Sequence, residues 1–349
     1  MKDVMVYKMN EKITVIGPAI IDVLAGPINE NLFKAGTMPM DNIKLSFGGN
    51  AYNEATTLLH LGVPVDLITK IGNDEAGHRI LKKMNEIGID TEHVICQDEL
   101  ATSINIVLFD ANGERRFLTN PKGSQRCLAE EDIVCVLDTC SDIVCFTCMF
   151  ISPLLDIEAM TRLFAKIKEK PGRTLVVDMT KAKNGEKIED LKPLLKYVDY
   201  ILPNHEEIKL LSNCQTDKAR AEELLEAGVK CVIIKTGRNG CNVYTKDKEY
   251  QVGTFETKNV VDTTGAGDCF AAGFLYGLYY KKDIEECLLM ANATASCCVE
   301  CVGATEGIVS DEEPLRRYKI LKENSRGGIN GNRQKKSVFE SPFKYDRIG

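Results

Sequence analysis

The sequence predicts an α/β fold: a doubly wound, mostly parallel sheet flanked by helices, with a small β-sheet lid standing away from it. Three observations carry that expectation. Short apolar, β-branched runs at 12–17, 65–71, 143–147, 175–178, 200–202 and 232–235 alternate with helical periods at 50–60, 73–87, 153–168 and 187–196. Such alternation argues for parallel strands joined by helical crossovers. Two other segments, 102–109 and 114–119, alternate apolar and polar residues around Asp110-Ala111-Asn112-Gly113. Asn-Gly supplies the left-handed turn of a hairpin, and alternation suits a sheet with one wet face. Finally, 269–280 reads Cys-Phe-Ala-Ala-Gly-Phe-Leu-Tyr-Gly-Leu-Tyr-Tyr, apolar all round, which marks a helix buried inside a large domain.

A chain of 349 residues, 44% hydrophobic and 27% charged, fits one large domain with a small annex. The expected organisation is one unit over 1–323, its lid drawn from about 18–47 and 100–120. A mobile tail is expected over 324–349, where Gly327-Gly328, Gly331 and Lys335-Lys336 break the apolar period. A net charge of −7 and a pI near 5.4 offer no electrostatic footprint for nucleic acid or an anionic membrane. No apolar run approaches the roughly 20 residues that span a bilayer. Met1-Lys2-Asp3-Val4 opens no signal-peptide pattern, so the expected compartment is the cytoplasm. There, the 14 cysteines read as small buried hydrophobes. Cys145 and Cys148 have metal-like spacing but sit in a strand, where residues three apart face opposite ways. Cys298 and Cys301 lack a following glycine knuckle.

Candidate chemistry gathers at turns after strands, where ligands of a parallel sheet bind. In order, Asp22 interrupts the apolar 20–24 run; an acid there is either functional or a surface interruption. Gly48 and Gly49 open the helix that carries Asn53, whose amide can donate and accept. Asn204 and Glu207 follow the 200–202 strand and also form a plain capping pair. Lys235-Thr236-Gly237-Arg238-Asn239-Gly240 follows the 232–235 strand; Lys235 is either near a ligand or merely at a strand end. Asp262-Thr263-Thr264-Gly265-Ala266-Gly267-Asp268 leads into the central helix. A helix start offers unpaired N–H groups to an anion, while Asp268 by itself can equally be a cap.

Together these segments resemble the signatures of the ribokinase-like (PfkB-type) carbohydrate kinases. Asp262-Thr263-Thr264-Gly265-Ala266-Gly267-Asp268 is similar to the family's Asp-Thr-x-Gly-Ala-Gly-Asp, and Gly48-Gly49-Asn50-Ala51-Tyr52-Asn53-Glu54-Ala55 to its Gly-Gly-x-x-x-Asn-x-Ala. Asn204-His205-Glu206-Glu207 resembles its Asn-x-x-Glu. The resemblance implies an ATP- and Mg²⁺-dependent kinase that phosphorylates a hydroxymethyl group of a small sugar. Asp268 would be the base, and Gly265, Ala266 and Gly267 the anion hole. Asp22, Gly48, Gly49 and Asn53 would hold the sugar. Asn204, Lys235, Thr236, Gly237, Gly240 and Asn292 would lie around the nucleotide, and Glu207 near Mg²⁺ through water. Asp262, Thr264 and oxygens of 301–307 would hold a monovalent cation such as K⁺. It further implies a lid that closes over the sugar and pairs two copies as a homodimer. Ile151 stands where ribokinase carries a sugar-contacting glutamate, against ribose itself. Arg115 and Arg116 either reach an acidic sugar or are solvated. A nucleoside kinase and a non-catalytic regulator are the alternatives. A dinucleotide fold is excluded, since Gly265-x-Gly267 lies far from a first βα unit.

Overall fold

The strand β1 (Ile13–Ile16) is wholly buried and lies inside a nine-stranded sheet. The computed structural model describes residues 12–34, 36–111 and 114–327. After β1 the chain leaves the main sheet for β2 (Ile20–Ile28) and β3 (Asn42–Gly48), then enters α1 (Asn50–His60). It continues through β4 (Val65–Gly72), α2 (Glu75–Ile87) and β5 (Val94–Gln97), leaves again for β6 (Ile104–Asp110) and β7 (Arg115–Thr119), and turns through α3 (Glu130–Val134). Alternation then resumes with β8 (Ile143–Met149), α4 (Ile157–Lys168), β9 (Thr174–Met179), α5 (Ile188–Leu195), β10 (Tyr200–Ile201), α6 (His205–Leu211), α7 (Asp217–Glu226) and β11 (Cys231–Lys235). An antiparallel pair, β12 (Cys241–Thr245) and β13 (Glu249–Val252), precedes the helices α8 (Ala266–Tyr279), α9 (Ile284–Cys298) and α10 (Glu312–Gly327).

The large sheet runs β13-β12-β11-β10-β9-β8-β1-β4-β5. Its pairings from β5 to β11 are all parallel, and β12 and β13 close one edge antiparallel. The small sheet runs β3-β2-β6-β7, with β2 and β6 parallel and the outer strands antiparallel. Two apolar clusters cover the two faces of the large sheet. One holds α1, α8 and α9 around Phe274; the other holds α4, α5 and α7 around Phe146 and Phe164. The fold class is therefore the expected one.

Several boundaries move for local reasons. The helix expected from 153 starts at Ile157, because Asp156 caps it by accepting from the Ala159 N–H at 2.8 Å. The mostly polar α7, which buries only Arg220, Ala221 and Leu224, has no counterpart among the expected helices. The tail expected from 324 instead stays helical to Gly327 in α10. Tyr318 of that helix is buried in the core, and Arg317 is ion-paired to Glu300 and Glu313. The turn residues Asn112 and Gly113, the N-terminal segment 1–11 and the basic 328–349 stretch lie outside the described residues.

Candidate active site

Parallel strands deliver their C-terminal ends to one side of a sheet, and here that side holds a cleft of about 1090 Å³. Its lining includes Asp178 and Met179 from the end of β9, Asn204 and Glu207 from the start of α6, and Lys235 from the end of β11. Gly267 and Asp268 of α8 and Asn292 of α9 complete it.

Gly265 sets the geometry of α8. It takes a left-handed φ of 74°, and a Cβ there would lie 2.4 Å from the Ala304 carbonyl oxygen. Only glycine suits such a position. The turn places Asp268 in the first helical turn, 7% exposed. Its carboxylate accepts from Asn53 Nδ2 at 2.7 Å and from Asn50 Nδ2 at 2.9 Å. The two strongest sequence motifs, more than 200 residues apart, thus meet through one acid. Burial pushes the Asp268 carboxyl up to about 6, assisted by Asp178 and opposed by Asn53, Lys235 and Asn50. The bland capping reading fails, because both oxygens are engaged across the cleft and the helix has no side-chain cap.

Lys235 is near the Gly265-Ala266-Gly267 turn as well as at a strand end. Its ammonium is 2.8 Å and 3.0 Å from the two Asp178 oxygens and would be 3.4 Å from a Cβ at Gly267. Burial alone would lower its pKa, but Asp178 and Glu207 raise it overall. Glu54 completes a buried acidic group: oxygens of Glu54, Asp178 and Asp268 lie within 4.8 Å of one another. Burial, then Asp178 and Asp268, push the Glu54 carboxyl well above the usual carboxylate range. The Cys145 thiol donates to it at 3.2 Å.

Asn204 and Glu207 form the expected capping pair. Asn204 Oδ1 accepts from the Glu207 N–H at 2.9 Å and Glu207 Oε2 accepts from the Asn204 N–H at 2.7 Å, a reciprocal cap. Both also face the cleft, and burial raises the Glu207 carboxyl. Gly237, Gly240 and Asn292 line the same cleft. The Thr236 hydroxyl donates to the Gly240 carbonyl at 2.9 Å, closing its own loop, and Thr236 lines a smaller pocket beside the cleft with Asn204, Lys235 and Gly237.

On the other side, Asp22 of β2 accepts from Asn105 Nδ2 of β6 at 3.1 Å. A Cβ on Gly48 would sit 2.3 Å from Asp22 Oδ2, and one on Gly49, with φ 96°, 2.4 Å from the Pro18 carbonyl oxygen. Both glycines therefore let β2 press against the start of α1. Burial raises the Asp22 carboxyl, opposed by Asn105.

Arg115 is paired and only partly exposed rather than solvated. From β7 it donates to Asp262 Oδ2 at 2.6 Å and to the Thr264 hydroxyl; Arg116 is exposed. Asp262 Oδ2 also accepts from the Gly303 N–H at 2.9 Å, and Oδ1 from the Thr264 N–H at 3.0 Å. Of the oxygens expected around K⁺, the Asp262 carboxylate and the Thr264 hydroxyl already face donors. Asn50, Glu54, Asn105 and Asp178 were missed as site residues. Asn50 was within reach of sequence reasoning, as the third residue of the Gly48-Gly49 turn. The others sit inside apolar strands or helices with nothing local to mark them.

Residues 10–311 match the pfkB family of carbohydrate kinases. The chain belongs to that family. A protein of Archaeoglobus fulgidus described as an uncharacterized sugar kinase is 34% identical over 255 residues, 72% of this chain and 97% of its own. Ribokinase from Thermotoga maritima superposes with a TM-score of 0.74 at 26% identity, covering 88% of this chain and 99% of that one. An E. coli protein described as a ribokinase II, in complex with ATP and Mg²⁺, superposes equally well, at 0.74, with 23% identity over 89% of this chain and 99% of its own. As a family member the chain is a sugar kinase, a phosphotransferase acting on an alcohol group.

Proposed function

We propose that this kinase transfers the γ-phosphate of ATP to a hydroxymethyl group of a small sugar, with Asp268 as the base. The observation that carries the reading is the Asp268 carboxylate itself, buried at the head of α8 and held by Asn50 and Asn53 of the opposing helix. A pair of sugar hydroxyls would lie between Asp22, Asn105 and the bare backbone of Gly48 and Gly49. Asp268 then takes the proton of the acceptor hydroxyl as the new O–P bond forms. The turn at Gly265, Ala266 and Gly267 aims the first N–H groups of α8 at the transferred phosphoryl group, and the Lys235 ammonium adds charge beside them. Positioning and charge are most of what this reaction needs from a protein.

Asn204, Gly237, Gly240 and Asn292 would hold ATP along the cleft. Glu207 and Asp178 offer carboxylate oxygens beside Lys235, a set that fits Mg²⁺ with several retained waters. When bound, Mg²⁺ would neutralise phosphate charge. The E. coli relative's complex with ATP and Mg²⁺ supports this nucleotide assignment. Ile151, 8% exposed two residues past β8, has a side chain that offers no hydrogen bond, which supports a sugar other than ribose.

The small sheet is the lid of this reading. Closing over the sugar would exclude water, the competing acceptor. One face of its strands leaves Ile43, Ile106 and Leu118 exposed by 71%, 42% and 54%, a patch suited to a second copy of the chain. Light scattering should give a dimer, and Ile106→Asp a monomer. All fourteen cysteines are free thiols, as suits the cytoplasm, and among the described residues no helix is long and apolar enough to cross a membrane.

The test is ATP consumption over a panel of sugars, sugar acids and nucleosides. Asp268→Asn should retain nucleotide binding and lose about 10² or more in kcat. A loss of less than several-fold would remove Asp268 from this role. A wild-type chain that binds a panel member yet consumes no ATP would make the protein a regulator instead.

A further inference from the structure

We propose that the Arg115 guanidinium is a fixed cation of this enzyme, standing where a monovalent metal would bind and tying the small sheet to the turn that shapes the anion hole. The inference rests on the kinase reading for the name of that turn, but its geometry stands without it.

Asp262 is 9% exposed. Burial would raise its carboxyl, but the N–H groups of Gly303 and Thr264, the Thr264 hydroxyl and Arg115 together hold it below the usual carboxylate range. A buried, ionised carboxylate three residues before Gly265 needs a positive partner. Arg115 supplies one, with Nη2 on Asp262 Oδ2 at 2.6 Å and Nη1 on the Thr264 hydroxyl. The planar fork of an arginine suits two acceptors held side by side, which the point charge of a lysine does not.

The neighbouring carbonyls are also occupied. The Cys298 sulfur lies 3.2 Å from the Thr264 oxygen and 3.3 Å from the Ala304 oxygen, which share its single S–H, and the Cys269 thiol donates to the Ala304 oxygen at 3.4 Å. A metal ion binding in a protein replaces its water with such oxygens. Here they face S–H and N–H donors, and a second positive charge would sit against the guanidinium.

The location of Arg115 gives the contact its meaning. It begins β7, where it pairs with Phe109 of β6. Strand β6 in turn pairs with β2 and supplies Asn105 to Asp22. One sheet therefore carries both the candidate sugar acid and the counter-ion of the anion-hole turn. When this sheet is seated, the turn has its cation; when it lifts away, Asp262 loses that partner. Phosphoryl-group stabilisation thereby follows sheet closure, without a diffusible ion.

The test compares the full-length wild type with Arg115→Ala, Arg115→Met and Arg115→Lys in KCl, NaCl and choline chloride at equal ionic strength. Wild-type turnover should vary less than two-fold among the salts. Arg115→Ala should fall at least tenfold in choline and recover with added K⁺ or guanidinium ion, and Arg115→Lys should retain more activity than Arg115→Met. An independent readout is rubidium: crystals of the wild type should show no anomalous peak between residues 262 and 264, and those of Arg115→Ala should show one. Potassium activation of the wild type with a rubidium peak beside Asp262 would overturn the proposal, as would an Arg115→Ala protein that matches wild type in salt response and rubidium binding. Should no sugar be phosphorylated at all, the kinase reading fails while the rubidium experiment still decides the cation site.

Discussion

The two walls of the cleft differ in how they are held. The wall made by β9, β11 and α8 is embedded in the core: Val177, Ile234 and Phe274 are fully buried, and each charged group on it has a charged or amide partner. The opposite wall is a four-stranded sheet whose outer strands β3 and β7 bury little, with Ile43 and Phe117 largely in solvent. In the proposed reaction, the groups that would meet a developing charge sit on the first wall, held by packing, and those that would recognise the acceptor sit on the second, which has far less core behind it. The contrast places the proposed base on the well-packed wall and the proposed sugar contacts on the thinly packed one.

If the core wall is the fixed half, Lys235→Ala should have the largest effect. It removes a charge beside the proposed anion hole, worth about 10²–10³ in kcat for a donor of that kind. It also leaves Asp178 buried and alone, a cost of about 3–5 kcal/mol. Steady-state kinetics and urea unfolding measure the two separately. Gly265→Ala comes next, with about 1–3 kcal/mol expected from the left-handed backbone alone, and an added clash with Ala304 that thermal unfolding would register.

The pH profile sharpens the same comparison more gently. Asp268 must be ionised to accept a proton, and its pKa is raised to about 6. The rate should therefore rise with pH through about 6 and level off above it. Asn50→Ala removes a hydrogen bond that favours the ionised form, so the acid limb should move to higher pH. A limb that stays in place or moves down would show that Asn50 does not tune the acid. On the thinly packed wall, Phe117→Ser should change stability by less than about 0.5 kcal/mol, as expected of an exposed site. A core-sized loss there would erase the distinction between the walls.

Much of the large sheet was legible because buried parallel strands are written as unbroken apolar runs, as in 143–147 and 232–235. The polar α7 was not, since its only cue is a narrow buried stripe. In the site, Asp268, Asn53 and Lys235 were legible because each follows a glycine pair or closes a strand. Asp178 was read only as the last residue of a strand, and Glu54 as a spacer between Asn53 and Ala55. Their roles depend on neighbours from other segments, Lys235 for one and Cys145 for the other. The partner of Arg115 could not be read at all, because 147 residues separate it from Asp262.

The close approach of Ala304 to Gly265 has a practical consequence for chimeric enzymes. With the Ala304 Cα only 2.6 Å from where a Cβ would stand, the 262–268 and 301–307 segments form a matched pair with no spare room between them. Grafting one segment from a relative while keeping the other should misalign the turn even if every reacting residue is retained. Exchanging both as a cassette is the route by which the turn's shape can be inherited intact.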